Sequence, residues 1–187
     1  MRVHLGANYQ GYDVARQLET KLTEAGHDVH WMAAPSRDVG DDYPAIAIRV
    51  AQAVVADEDT AVYARGIQVG GEGAGEVIAA NKVNGARAVA ALSPAYVAEA
   101  RRTADANVLV LPTNWLDVGA IDAAIAAFFD TPFGDSIDDA RRIINTAEFE
   151  TSGTIEGWTV DEGKVTVIPE DPSATGKFAQ GAGITHD

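Results

Sequence analysis

Cysteine is absent from this chain of 187 residues, and with it go disulfides, thiol nucleophiles and thiolate metal sites. Histidine is scarce: His4, His27, His30 and His186 stand without HxxxH or HExxH spacing. Neither a metal site nor any other cofactor is therefore expected. Positive charge is short as well, with 14 Lys and Arg against 28 Asp and Glu, a formal net charge of −14. Phosphate backbones and anionic membranes reward basic surfaces, so the expected partners include neither nucleic acid nor membrane. No apolar run approaches the roughly 20 residues of a membrane span. The opening "MRVHLGANYQGYD" has no long apolar core of a leader segment and reads as a first strand. A soluble, cytoplasmic protein is expected.

What the chain does have is apolar and small residues, 47% of the first kind and 18 glycines in all. They fall into a regular alternation. "MRVHLGA" is a strand, "YDVARQLETKLTEAGHD" a helix with Val14, Leu18 and Leu22 at helical spacing and Gly26 as its stop. "VHWMA" is a strand, and "AIAIRVAQAVVA" a helix with Pro44 in its first turn. "AVYARGIQV" leads through glycines to a helix over about Glu76 to Asn84, then "ARAVAAL", "SPAYVAEARRTA", "NVLVLP" and "DVGAIDAAIAAFFDT" continue strand, helix, strand, helix. This predicts a doubly wound, five-stranded parallel sheet with helices on both faces, a Rossmann-like α/β/α arrangement of three layers. Ligands in such sheets bind beyond the carboxyl ends of the strands. "SIDDARRIINTAEFE" reads as a further helix. Residues 1–150 are expected to form the α/β domain. Residues 151–187 are expected to form an extension with a hairpin around Glu162-Gly163 and a loose tail. Trp31, Trp115 and Trp158 are expected in the core or at an interface.

The stretch "GIQVGGEGAGEVIAANKVNGARAV", Gly66 to Val89, carries the chemistry. Successive glycines let backbone N–H groups converge on an anion, and the start of the following helix adds to the same field. The anion is either a bound phosphate or an oxyanion formed during reaction. "GGEGAGE" lacks the Gly-Lys-Ser/Thr of a nucleotide phosphate loop and fills GxGxxG spacing poorly. Glu72 and Glu76 would also repel a pyrophosphate. Glu76 admits two readings: a first-turn carboxylate interacting with the helix dipole, or a general base facing an oxyanion hole.

"DDYP" at Asp41 to Pro44, "GGEGAGEVIAANKVNGARAV" and "DAN" at Asp105 to Asn107 resemble the ribose-5-phosphate isomerase B and galactose-6-phosphate isomerase family. The likeness covers roughly residues 1–145 and includes "LGANYQGY" at the start. It implies a dimer, or a tetramer built from dimers, with active sites at the subunit interface and no metal. It also implies interconversion of an aldose and a ketose phosphate through an enediolate. In some branches the base is a cysteine at the place of Gly70; in another it is a glutamate after the last loop glycine, where Glu76 stands. The resemblance thus marks Glu76 as base. Asn8, Tyr9, Tyr43, Gly71, Glu72, Gly73, Ala74, Gly75, Thr103 and Arg142 become the candidate substrate-binding residues.

Several positions depart from the family pattern. Asn8 and Tyr9 stand where an Asp and a His usually do. Thr103 and Ala104 replace a ring-opening His and an Asn. Asn114 and Asp138 fall where phosphate-gripping arginines are expected, leaving Arg141 and Arg142. Three readings remain: an isomerase with a changed substrate, such as an open-chain tetrose 4-phosphate; a non-catalytic subunit paired with a homologous chain; and a sugar-binding module without turnover.

Overall fold

A computed structural model describes residues 1–153; the expected hairpin around Glu162-Gly163, the tail and Trp158 lie outside the described residues. Five strands and six helices alternate in chain order: β1 (Arg2–Ala7), α1 (Tyr12–Glu24), β2 (Asp28–Trp31), α2 (Tyr43–Asp59), β3 (Ala64–Gly70), α3 (Ala74–Ala80), β4 (Ala88–Ala90), α4 (Pro94–Ala104), β5 (Val108–Pro112), α5 (Val118–Asp130) and α6 (Ile137–Ser152). The strands form one sheet in the order β2-β1-β3-β5-β4, with every pairing parallel.

The three layers follow from the two-residue period of the strands. Ile67 and Val69 of β3, with Leu109 and Leu111 of β5, face α1, α4 and α5 in a core that includes Leu18, Leu22, Val97, Ile121 and Phe128. Val108 turns to the other face, against Ala47, Val50, Ala51 and Val54 of α2 and Ala79 and Ala80 of α3. That second interface is made of small residues, so α2 lies close to the sheet. A Cβ placed on Gly6 would come within 2.6 Å of Val50 and 2.8 Å of Ile46.

Helix ends are where the polar residues of the sequence act. Asp42 accepts from the N–H of Tyr43 at the start of α2 and Pro44 sits in its first turn. Ser93 caps α4 through the N–H of Tyr96, and Gly26, at φ 86°, follows α1 as expected. α3 is displaced from its expected span of Glu76 to Asn84: it begins at Ala74 and ends at Ala80, so Glu76 lies within its first turn. The early stop has a cause. Asn81 leaves the helix to grip Ala88 of β4, donating to its carbonyl at 2.9 Å and accepting from its N–H at 2.8 Å. β4 is accordingly shorter than "ARAVAAL" suggests. Trp115 is 72% exposed, on the turn after β5, so of the two expected places, core or interface, the core is excluded.

Candidate active site

The chain leaves β1 for β2 on one side and reaches β3 on the other, so the sheet has its switch point between β1 and β3. Loops diverge there and open a crevice beyond the strands' carboxyl ends. Asn8 follows β1, and Gly70 ends β3. The N–H of Asn8 donates to the carbonyl of Val69 at 3.2 Å, which extends the ladder one residue into the loop.

Glu76 turns back from α3 into this crevice and is 2% exposed. Its Oε1 accepts from the Nδ2 of Asn8 at 3.1 Å. The space it occupies exists because residue 70 is glycine: a Cβ there would lie 1.9 Å from Glu76 Oε1. A side chain at position 70 and this placement of Glu76 therefore exclude each other. Gly73 supplies the turn between β3 and α3 with φ of 85°, a conformation that L side chains seldom adopt. Burial pushes the Glu76 carboxyl above its ordinary pKa, and the negative charges of Asp42 and Glu72 add to the shift; the N–H groups of Glu76 and Gly73 act the other way. A carboxylate raised in this manner is a stronger base than one in water.

Glu76 lines a cleft of about 510 Å³ together with Asn8, Tyr9, Tyr43, Glu72 and Gly75. Gln10, Val39, Asp41 and Asp42 line it too and were not among the candidate residues. Asp41 and Asp42 sit in the "DDYP" quoted above, directly before Tyr43. Tyr43 packs across Gly75, where a Cβ would meet its ring at 2.4 Å. Arg37 stacks on the Tyr9 ring at 4.2 Å and donates to Asp13. Glu72 reaches across to Asn114, whose Nδ2 donates to it at 2.7 Å. Gly71 and Gly73 are buried in the loop beneath the cleft, and Ala74 opens α3.

Thr103 and Arg142 lie elsewhere. They line a separate cavity of about 590 Å³ with Arg87, Asp139 and Thr146, beside the edge strand β4. Arg142 is paired there with Asp139 one helical turn away. The lining of the Glu76 cleft contains four carboxylates and neither Lys nor Arg. Among the described residues no group of three or more His, Cys, Asp or Glu is placed to hold a metal ion, and no helix is long and apolar enough to cross a membrane.

Residues 3–145 match the family model described as Ribose/Galactose Isomerase. A ribose-5-phosphate isomerase B of Mycobacterium leprae is 39% identical over 150 residues, covering 80% of this chain and 90% of that protein. Among solved structures, ribose 5-phosphate isomerase type B from Trypanosoma cruzi superposes with a TM-score of 0.74 at 31% identity, over 82% of this chain and 98% of that one. The ribose-5-phosphate isomerase B of Mycoplasma genitalium, solved with bound ribulose-5-phosphate, gives a TM-score of 0.75 at 26% identity, over 81% and 97%.

Proposed function

The chain belongs to the ribose/galactose isomerase family, and on that premise we propose that it interconverts an aldose and a ketose sugar phosphate, with Glu76 as the base. The observation that carries this reading is the buried Glu76 carboxylate, held by Asn8 and opening onto a cleft at the sheet's switch point. Glu76 takes the proton from the carbon beside the carbonyl and returns it to the former carbonyl carbon, while the hydroxyl proton passes from the first carbon's oxygen to the former carbonyl oxygen. The enediolate oxygen that develops between these steps is held by N–H groups of the loop over residues 71–75 that the carboxylate itself does not use. Tyr9, Tyr43 and Glu72 position the hydroxyls of the sugar.

The substrate is already open-chain. Thr103 cannot act as an acid or base for ring opening at neutral pH. A tetrose 4-phosphate meets this condition, because its 4-oxygen carries the phosphate and cannot close a furanose. The cleft's own lining is acidic, so the phosphate draws its cations from outside it, and Arg142 of a second copy is the assigned group. The same acidic lining supports the alternative of a non-catalytic subunit or sugar-binding module.

The test is exchange in deuterated water. The protein is incubated with tetrose, pentose and hexose phosphates and the free sugars, and the carbon beside the carbonyl is followed by NMR. Exchange with a subset of these, reduced about 10²–10⁴-fold in Glu76→Gln, establishes the isomerase and its substrate class. Exchange with none of them would remove the catalytic reading in favour of the partner subunit.

A further inference from the structure

Asn8 is held in a way that a substrate ligand alone does not require. Its Oδ1 accepts from two backbone N–H groups, those of Gln10 and Gly11, each at 3.1 Å. These bonds identify the oxygen of the amide, since a flipped group would set N–H against N–H. The nitrogen must then face the other way, and it lies 3.1 Å from Glu76 Oε1. Asn8 is itself 6% exposed, so its amide has little water to turn towards.

We propose that Asn8 is a positioning residue for the base: its turn-locked amide holds Glu76 Oε1 over Gly70 and keeps the carboxylate ionised in a buried site. This rests on the reading of Glu76 as base. The remaining charges around Glu76 work against ionisation. Asp42 at the start of α2 and Glu72 in the loop after β3 are both negative, and Asp41 adds a third carboxylate to the cleft lining. Tyr9 and Tyr43 are the other titratable groups there. Arg37 on the loop before α2 is stacked on Tyr9 and engaged with Asp13. The neutral donor from Asn8 is thus a specific side-chain interaction favouring the charged form.

Two changes are compared, Asn8→Asp and Asn8→Ser. An aspartate has the same shape and retains an acceptor for the N–H groups of Gln10 and Gly11, so the turn persists. It loses the donor and sets a second carboxylate against Glu76. That added charge raises the Glu76 midpoint whatever Asn8 does, so the discriminating replacement is one that removes the donor without adding charge. A purely structural role would leave Glu76 unmoved by it, and positioning would not. The measurement is the carboxyl ¹³C titration of protein labelled at glutamate, with the Glu76 resonance identified by its loss in Glu76→Gln. Asn8→Asp is expected to move the Glu76 midpoint up by about one unit or more, and the acid limb of the exchange rate with it. Asn8→Ser, which can serve the turn but cannot reach Glu76, is expected to move the midpoint in the same direction by less. Glu76 titrating alike in the wild type and in folded Asn8→Ser overturns the proposal. A wild type that exchanges no sugar sinks the isomerase reading, and the Glu76 titration still decides this one.

Discussion

At the scale of single residues, the site is a trade between space and charge. Gly70 leaves room that the Glu76 carboxylate fills. Gly70→Ala is expected to keep the fold, because residue 70 ends an extended strand and has no positive φ. The new Cβ drives Glu76 off its bond to Asn8, and deuterium exchange should fall by at least about tenfold with near-UV circular dichroism unchanged. Unaltered exchange in a folded Gly70→Ala protein would show that the carboxylate works from another position. Charge sets a second expectation. Burial raises the folded-state pKa of Glu76 above its unfolded value, so the stability this group contributes is full below the unfolded pKa and is lost as pH rises through the folded one. Ionised Glu76 is therefore a destabilising group near neutrality, as the proposed base would be. Glu76→Gln should melt higher than the wild type at about pH 8, with the difference shrinking towards about pH 4. Parallel melting curves across that range would contradict the buried, strained carboxylate.

At the scale of elements, the strand–helix alternation was legible because each strand is short and apolar and each helix carries its own stops, such as Gly26 after α1 and Ser93 before α4. α3 was misplaced for a physical reason. "EVIAANKVN" has continuous helical propensity, and what ends the helix is a tertiary contact, the Asn81 side chain bonding both polar groups of Ala88. Propensity carries no trace of such a partner. The same holds for Gln10 after β1 and for Asp41 and Asp42 before α2, which come together at the cleft only in the folded chain. Glu76 and Asn8 stand out in the sequence motifs, whereas the lock on the Asn8 amide is made by backbone N–H groups of Gln10 and Gly11, which no residue pattern marks. Asn81→Ala tests the helix stop. It removes two hydrogen bonds that tie α3 to β4, and should cost about 1–3 kcal/mol, a fall in Tm of several degrees for a protein of this size. An unchanged Tm would mean that β4 is held by β5 alone.

At the scale of the whole molecule, the described residues form two cavities that share no lining residue. One is the acidic cleft with Glu76; the other is the cavity beside β4 with Arg87, Thr103 and Arg142. α6, which carries Arg142, buries none of its residues fully, and Ile137, Ile144 and Phe149 remain exposed on it. The proposed isomerase needs a cation for its phosphate, and a two-fold assembly that set each cavity against the other copy's cleft would supply it. That arrangement has a consequence for mixed assemblies. Glu76→Gln and Arg142→Ala should each lose activity when alone. Co-expressed, they should form mixed dimers in which one site holds both defects and the other is intact. Random pairing then restores about a quarter of wild-type turnover. Recovery at that level, with sedimentation showing a dimer or a tetramer of dimers, places the base and the arginine on different copies. Absence of recovery, with Arg142→Ala inactive alone, would put both groups in one chain's site. An Arg142→Ala protein that is fully active would release the phosphate from this arginine and leave the substrate's charged end to be found elsewhere.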